Sequence, residues 1–166
     1  EALAHRTLGL TVLSAGRGAC DLILDLPGDR SLRTFGDAIK AEGSLRIVIH
    51  TDGLLHDGDL QPEKRLSQIR RENLQRSFCV NAWSPVLVAQ AIEPALPRDQ
   101  PVHFASLSAR VGSISDNHLG CWYSYRAAKA AQNQLLKTLA LEWRRRLPLA
   151  CVPLLHPGTT ATPLSA

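Results

Sequence analysis

The sequence lacks several features that would assign it to particular classes of protein. It contains no methionine, not even at position 1, so we expect a fragment or a processed chain rather than a complete gene product. Its longest apolar runs are short and are broken by polar residues, and no basic segment followed by an apolar one opens the chain. Neither a membrane span nor a secretion signal is therefore predicted.

Close cysteine pairs are also missing. The four cysteines, Cys20, Cys79, Cys121 and Cys151, are scattered along the chain. Zinc sites and disulfide frameworks need cysteines at short and regular spacings. We expect no metal site, and we expect a reducing, cytoplasmic location.

The charge distribution gives little support to a nucleic-acid partner. Nineteen basic residues against fifteen acidic ones leave a net charge of +4, and part of the excess lies in Arg70-Arg71 and Arg144-Arg145-Arg146. No basic stripe interleaved with aromatic residues accompanies these clusters, although such a stripe is typical of nucleic-acid surfaces. We expect the arginines to lie on solvated helix surfaces.

Short apolar segments alternate with longer segments of helical periodicity. The predicted strands are residues 10–14, 21–26, 45–49, 101–107 and 150–155. The predicted helices begin near Asp29, near Leu66 or Arg71, and near Cys121. Pro85 should kink the second helix after Asn81, and the inner face of the third should carry Leu135, Leu136, Leu139 and Trp143.

The alternation predicts an α/β fold with a mostly parallel sheet and helices on both faces. A chain of 166 residues, 45% of them hydrophobic, is long enough for one domain, residues 1–166. Ligands bind such sheets at the carboxyl ends of the strands. The polar segments 50–53, 106–113 and 156–162 each follow a strand, so we expect them to meet in one crevice at the start of the third helix.

Tyr125 and Lys129 lie four residues apart in this third helix, and therefore on one face of it. A nearby ammonium favours the phenolate and lowers the tyrosine pKa from about 10, which lets the side chain exchange protons near neutral pH. The alternative is an aromatic ring packed against a lysine stem, which is common on helix surfaces. The surrounding residues have to decide between the two.

Five segments occur together in a fixed order. They are Leu24-Asp25-Leu26, Val80-Asn81-Ala82, residues 107–114, Tyr125-x-x-x-Lys129, and residues 157–162. From about Asp21 to Ala166 the chain thereby resembles the short-chain dehydrogenase/reductase family, in the branch of small carbonyl reductases related to C-factor and sniffer proteins. The resemblance implies a Rossmann-like, doubly wound sheet and NADP or NAD as cofactor, with NADP preferred. It also implies a small carbonyl or alcohol substrate and a homo-oligomer formed through the two long helices.

The resemblance also implies catalytic roles. Tyr125 would be the general acid or base, and Lys129 would lower its pKa and hold the nicotinamide ribose. Asn81 would hold a water that connects the lysine to solvent. Taken without the resemblance, Asn81 is a structural asparagine next to a helix kink.

Cofactor contacts follow from the same resemblance. The residues implied are Asp25 and Leu26 at the adenine ring, Arg17 near an adenosine 2′-phosphate, Gly53, Lys129, Pro157, Gly158, and Thr162 at the nicotinamide carboxamide. An ordinary turn after a strand would explain residues 157–162 equally well. A solvated loop would likewise explain Arg17.

The chain departs from the family pattern in the serine-rich loop. The family serine that polarises the substrate carbonyl precedes the loop glycine by three positions, and counting back from Gly112 reaches Ala109. We assign the role to Ser108, one position away, with Ser106 and Ser113 as substitutes. Strand alternation would point neighbouring side chains in opposite directions, unless the strand has already ended.

Two further departures concern the cofactor. The tetrad His50-Thr51-Asp52-Gly53 replaces the family's Asn-Asn-Ala-Gly, and the Asp52 carboxylate would lie unfavourably near the cofactor pyrophosphate. No Gly-x-x-x-Gly-x-Gly loop is present, and the nearest candidate, Gly16-Arg17-Gly18, runs into a strand rather than a helix. The alternative to an active enzyme is thus a non-catalytic relative that retains the fold for partner binding.

These gaps predict an incomplete sheet that lacks the first and last strands of the family fold. Without the central first strand, the strands at 10–14 and 21–26 should be separate from the rest. The segment 16–20 is too short for a parallel crossover of a dozen residues. We expect a hairpin, or one of the two strands in the vacant central position.

Overall fold

The computed structural model describes residues 11–26, 28–43 and 45–158. The strands are β1 (Ala15–Gly16), β2 (Leu22–Ile23), β3 (Ile47–His50), β4 (Val102–Leu107), β5 (Ala150–Cys151) and β6 (Leu154–Leu155). The α-helices are α1 (Asp29–Glu42), α2 (Arg71–Phe78), α3 (Ser84–Ile92) and α4 (Tyr123–Arg146). Short 3₁₀ turns occur at Leu66–Gln68, Glu93–Ala95 and Arg110–Gly112.

All the pairs between these strands are parallel, which confirms the mostly parallel α/β fold. β4 is the centre of a four-stranded sheet, with β3 on one side and the short strands β5 and β6 on the other. Ile47 lies opposite His103, and Ser106 lies opposite Leu154. The carboxyl ends of β3, β4 and β6 consequently face the same edge.

β1 and β2 form a separate two-stranded sheet, as expected, but their pairing is parallel. The predicted hairpin is therefore wrong, and the first strand starts at Ala15 rather than before it. The connection between two parallel strands has to return over the length of the first strand. A strand of two residues is only about 7 Å long, so the short segment between β1 and β2 can span it. The Asp21 carboxylate also accepts hydrogen bonds from the Ser14 amide and hydroxyl, both at 2.7 Å, which closes the short connection.

The described helices pack on one face of the four-stranded sheet. Side chains alternate between faces along a strand, and Val48 of β3 and its neighbour Phe104 of β4 point toward the helices. The Phe104 ring meets Trp143 of α4 edge to face, with centroids 6.0 Å apart. On the opposite face, Ile47 and Ile49 are 50% and 62% exposed.

The hydrophobic core lies between this sheet and a layer in which α1 and α4 both contact α3. Its buried members include Leu32, Phe35, Ile39, Val88, Ile92, Phe104, Leu136 and Trp143. The inner face predicted for α4 is correct for Leu136 and Trp143 but wrong for Leu135, which is 36% exposed. Adjacent helix positions differ by about 100°, so Leu135 is turned away when Leu136 faces the core.

A π-helical turn at Cys79–Trp83 joins α2 to α3 and confirms the predicted irregularity around Asn81. Pro85 has no N–H, and in a regular helix its ring would clash with the carbonyl of residue 81. Widening the preceding turn relieves that clash. The π turn leaves Asn81 buried and facing the interior.

The described ranges contain neither a membrane-spanning helix nor a cluster of metal-binding side chains. None of the helices there is long and apolar enough to cross a membrane. No group of three or more histidine, cysteine or acidic side chains in those ranges could hold a metal ion.

Candidate active site

Tyr125 and Lys129 form a close pair in the first two turns of α4. The Lys129 ammonium nitrogen lies over the Tyr125 ring, 5.8 Å from its centroid, which is a cation–π distance. Burial raises the pKa of Tyr125, because the phenolate would lose hydration. The expected lowering of the tyrosine pKa is thus wrong for this structure, in which desolvation sets the direction of the shift.

Lys129 is unusually buried for a lysine, with 3% of its surface exposed. Its ammonium donates hydrogen bonds to the Leu107 carbonyl at 3.1 Å and to Gln132 Oε1 at 2.9 Å. Burial lowers the pKa of Lys129 to about 8, while the carboxylate of Asp52 acts in the opposite direction. Because Leu107 is the last residue of β4, the lysine head lies at the carboxyl end of the sheet.

His50, the last residue of β3, is buried beside this lysine. Its Nε2 lies 2.9 Å from Ser84 Oγ and 3.4 Å from the Asp52 carboxylate, and its Nδ1 lies 3.3 Å from Ser106 Oγ. Burial lowers the pKa of His50, the Lys129 ammonium adds to that effect, and Asp52 opposes it. The neutral imidazole is therefore favoured.

Gln132 connects the histidine to the lysine. Its amide nitrogen donates to Ser106 Oγ at 2.9 Å and to the Leu107 carbonyl at 3.1 Å, and its amide oxygen accepts from Lys129. A continuous set of side chains, which we call the buried polar chain, thus runs across α3, β3, β4 and α4. Its members are Ser84, His50, Ser106, Gln132 and Lys129.

The N-terminus of α4 is held by a distant carboxylate. Glu63 is only 3% exposed, and it accepts hydrogen bonds from the Ser124 amide at 3.2 Å and from the Ser124 hydroxyl. The amide of Trp122 donates to the Glu63 carbonyl at 2.5 Å. Cys121 and Trp122 both have positive φ angles, 59° and 54°, a strained conformation for residues other than glycine. The carboxylate favours the helix end, where N–H groups lack partners.

Asn81 clamps the loop that follows β3. Its Oδ1 accepts from the Leu54 amide at 2.9 Å, and its Nδ2 donates to the Leu54 carbonyl at 2.7 Å and to Ser77 Oγ at 3.2 Å. These contacts agree with the alternative given for Asn81, a structural asparagine next to a helix irregularity. The water-holding role implied for Asn81 stays a prediction.

The three candidate serines have other partners than Tyr125. Ser108 Oγ donates to Asn133 Oδ1 at 2.6 Å, and Asn133 lies two turns, about 12 Å along the axis, from Tyr125. Ser106 belongs to the buried polar chain, and Ser113 is half-buried, with its hydroxyl oxygen 3.3 Å from that of Ser115. The contacts of Ser108 are unfavourable to the catalytic role assigned to it, which stays a prediction.

The cofactor residues implied at strand ends do follow strands in the structure. Asp25 is exposed after β2, and its charge adds to burial in raising the pKa of the Cys79 thiol, so it lies near the π turn. Gly53 is exposed after β3. Pro157 and Gly158 are exposed after β6, and Gly158 has a φ of 78°.

The remaining implied cofactor residues are less informative. Arg17 is exposed in the connection between β1 and β2, and Leu26 is half-buried before α1. Thr162 lies outside the described residues. Lys129 could donate to ribose hydroxyls from its position at the sheet edge, which fits a nicotinamide riboside. In the described ranges, Gly16-Arg17-Gly18 leads into β2, so no glycine-rich loop opens a helix to hold a pyrophosphate.

Comparison with known proteins supports the resemblance. The sequence profile of a family described as "Enoyl-(Acyl carrier protein) reductase" matches residues 14–166. The chain belongs to the short-chain dehydrogenase/reductase family. C-signal of Myxococcus xanthus is 33% identical over 98 residues, which are 58% of this chain and 57% of that protein.

Two solved structures show the same fold. Carbonyl reductase Sniffer of D. melanogaster superposes with a TM-score of 0.73 at 25% identity, over 87% of this chain and 61% of the other. An NADP-bound short-chain dehydrogenase/reductase from Burkholderia multivorans gives 0.72 at 25% identity, over 86% and 58%. The chain thus spans less than two thirds of the length of each of these relatives.

Three residues of the candidate site, His50, Gln132 and Glu63, were not predicted from the sequence to belong to it. Gln132 could have been found, since it lies one helix turn after Lys129 and shares its face. The position of His50 at the end of a predicted strand is a weaker indication that it belongs to the site. Nothing in the local sequence around Glu63 indicates that it contacts α4.

Proposed function

We propose that this chain carries the proton-transfer centre of an NAD(P)-dependent oxidoreductase, which interconverts a small carbonyl compound and its alcohol. The observation that supports this most is the buried Lys129 ammonium, stacked on Tyr125 at the carboxyl end of a parallel sheet. Burying an ammonium is costly, and buried titratable groups with shifted pKa values cluster at functional sites. Family membership supports the same assignment.

In the direction of reduction, the carbonyl carbon would receive a hydride from a reduced nicotinamide, whose ribose Lys129 would hold. Tyr125 donates its phenolic proton to the carbonyl oxygen, which completes the alcohol. The Lys129 ammonium then lies close to the phenolate that remains, and it compensates the negative charge. In the reverse direction the phenolate accepts the proton of the alcohol.

NADP is the cofactor we propose, with NAD as the alternative. The solved relative from Burkholderia multivorans holds NADP. Arg17 is exposed in the connection between β1 and β2, as a side chain that meets a 2′-phosphate has to be.

Titration of the purified chain with NADPH and with NADH, followed by nicotinamide fluorescence, tests this proposal. We expect binding of NADPH, weakened at least tenfold by Lys129→Ala. Tyr125→Phe should leave binding unchanged and reduce turnover of small aldehydes and ketones by 10² or more, the usual range for a general acid. Lys137→Ala, an exposed lysine on the same helix, is the matched control.

Failure to bind either nucleotide at millimolar concentration would favour the alternative, a non-catalytic member of the family. The absence of a glycine-rich loop at a helix N-terminus in the described ranges is the observation that favours it. Such a protein would use its helices for partner binding. It should then fold normally and show no nucleotide-dependent rise in melting temperature.

We also propose self-association through the π turn and α4. Trp83 and Leu141 are both 46% exposed, and Leu135, predicted to be internal, is exposed as well. Exposed apolar side chains on long helices are common at interfaces between subunits. Sedimentation should show a concentration-dependent dimer that Trp83→Lys weakens, and a monomer at all concentrations would contradict it.

A further inference from the structure

His50 is a buried titratable side chain for which the proton-transfer mechanism has no use. It is the first residue of the tetrad that replaces the family's Asn-Asn-Ala-Gly, so a histidine stands where the family pattern has an asparagine. A buried imidazole needs partners for both ring nitrogens. Both nitrogens have them here, on two different elements of the fold.

The direction of each hydrogen bond follows from the partners. Ser84 Oγ donates its proton to the Val80 carbonyl at 2.6 Å, so it accepts from His50 Nε2. His50 Nδ1 is then unprotonated and accepts from the Ser106 hydroxyl. The tautomer of the neutral imidazole is thereby fixed by the helix backbone at Val80.

The same direction continues to the lysine. Ser106 uses its proton on His50 and presents its lone pairs to the Gln132 amide nitrogen. Because the Gln132 nitrogen also donates to the Leu107 carbonyl, its amide oxygen is left to face the Lys129 ammonium. The acceptor at His50 thus reinforces, through Ser106, the amide orientation that the Leu107 carbonyl also favours.

We propose that His50 is a positioning residue for Lys129. It acts through Ser106 and Gln132, by helping to keep the Gln132 amide oxygen turned toward the Lys129 ammonium. The importance of this for catalysis rests on the proposed function of Lys129. The structural effect on the lysine is independent of that function. It can be measured without cofactor or substrate.

The groups facing His50 keep it in the required neutral form. Two charged groups face it: the Asp52 carboxylate from the loop after β3 and the Lys129 ammonium from α4. The hydroxyls of Ser84 and Ser106 face it from α3 and β4. Burial and Lys129 lower the pKa of His50, and Asp52 only partly offsets them.

Removal of the acceptor should loosen the Gln132 amide. With His50→Leu, the Ser106 hydroxyl has no acceptor at β3, and its proton competes with the Gln132 amide nitrogen that now donates to Ser106 Oγ. The Leu107 carbonyl alone then holds the amide nitrogen, and the hydrogen bond from Lys129 to Gln132 Oε1 weakens. The neutral amine becomes easier to form, and the pKa of Lys129 falls.

The experiment is a pH titration of the lysine ¹³Cε chemical shifts in protein labelled with ¹³C-lysine. The chain has four lysines, Lys40, Lys64, Lys129 and Lys137, so Lys129→Arg identifies the signal. We expect a pKa of about 8 for Lys129 in the unsubstituted chain. His50→Leu should lower it by about one unit, the effect of losing one hydrogen bond to a charged group.

Conservative and control substitutions sharpen the test. His50→Asn should keep the Lys129 pKa within a few tenths of a unit, since the asparagine oxygen can accept from Ser106 near the position of Nδ1. His103→Leu, an exposed histidine on β4, is the matched control and should leave the value unchanged. A shift equal to that of His50→Leu in this control would overturn the proposal.

The route through Gln132 is tested by a double substitution. Gln132→Leu should lower the Lys129 pKa, and adding His50→Leu should lower it no further, because coupled residues are not additive. Ser106→Ala breaks the same link with a smaller change in volume, and it replaces His50→Leu if that variant does not fold by circular dichroism. Additive shifts in the double variant, or an unchanged pKa in Ser106→Ala, would overturn the proposal. Nucleotide titration separately tests whether Lys129 is catalytic, so the two failures are distinguishable.

Discussion

The ammonium of Lys129 lies over the ring of Tyr125, 5.8 Å from the ring centre, with both side chains buried. The aromatic face attracts the cation, and two neutral oxygens accept hydrogen bonds from it. No carboxylate pairs directly with the lysine among the described ion pairs, and Asp52 acts only at longer range. The charge is therefore held by dipoles and a ring, which compensate less than a counter-ion does.

Lys129→Met should separate stability from function. Methionine fills similar space without a charge to desolvate, and it leaves no buried anion unpaired, although Gln132 Oε1 loses its donor, so the free energy of unfolding at pH 7 should fall by less than about 2 kcal/mol. Turnover and NADPH affinity should be lost. Urea unfolding and nucleotide titration measure the two quantities, and Lys137→Met is the control that should change neither. A loss of more than about 2 kcal/mol would show that the ammonium stabilises the fold.

Stability should decrease in mild acid because of His50. Its pKa is lowered in the folded chain, so below about pH 6.5 the unfolded chain binds a proton that the folded chain does not. The free energy of unfolding then falls as pH falls, by up to about 1.4 kcal/mol per pH unit from this group. Urea unfolding between pH 5 and pH 7.5 should show a shallower slope in His50→Asn. Equal slopes in His50→Asn and His103→Asn would contradict this expectation.

Glu63→Gln should destabilise the start of α4. The substitution removes a negative charge at a helix N-terminus and weakens two hydrogen bonds to Ser124, so we expect a loss of about 1–2 kcal/mol in the free energy of unfolding. Glu72→Gln is the matched control, since Glu72 is an exposed acid in the first turn of α2 and should cost only a few tenths of a kcal/mol. Similar losses in the two variants would mean that the burial of Glu63 does not increase its contribution to the free energy of unfolding.

Gly112→Ala should move the serine-rich loop away from α4. A Cβ at position 112 would lie 2.8 Å from the carbonyl carbon of Lys129 and 3.0 Å from its oxygen, and helix backbone cannot give way. We expect a loss of about 1–3 kcal/mol, typical of overpacking, together with shifted amide signals around Lys129. Gly18→Ala, where no atom lies within 4 Å of the new Cβ, should be nearly neutral. Equal effects of both substitutions would contradict the close approach.

Features that depend on neighbouring residues were predictable from the sequence. Helix α1 ends at Gly43, which has a φ of 94°, as its glycine and apolar periodicity indicated. The irregularity near Asn81 follows from Pro85, since the missing N–H acts within one turn. Parallel pairing of β3 with β4 follows from the helices between them, because parallel strands need a crossover.

Features that depend on residues distant in the sequence could not be predicted. The parallel pairing of β1 and β2 depends on how far two short strands extend and on a carboxylate that closes their connection. His50 contacts side chains from two other elements, α3 and β4, and no spacing in the sequence indicates these contacts. Burial likewise decided the direction of the Tyr125 pKa, which spacing alone had indicated in the opposite sense.

The contact between Glu63 and Ser124 joins positions 61 residues apart. Most of helix α4 can form within microseconds, because its hydrogen bonds are local. The contact of its first turn with Glu63 forms more slowly, because it closes a loop that includes α2, α3 and β4. During synthesis, Glu63 leaves the ribosome long before its partner exists. We therefore expect Tyr125 to reach its final surroundings among the last events of folding, after the core of the same helix is already packed.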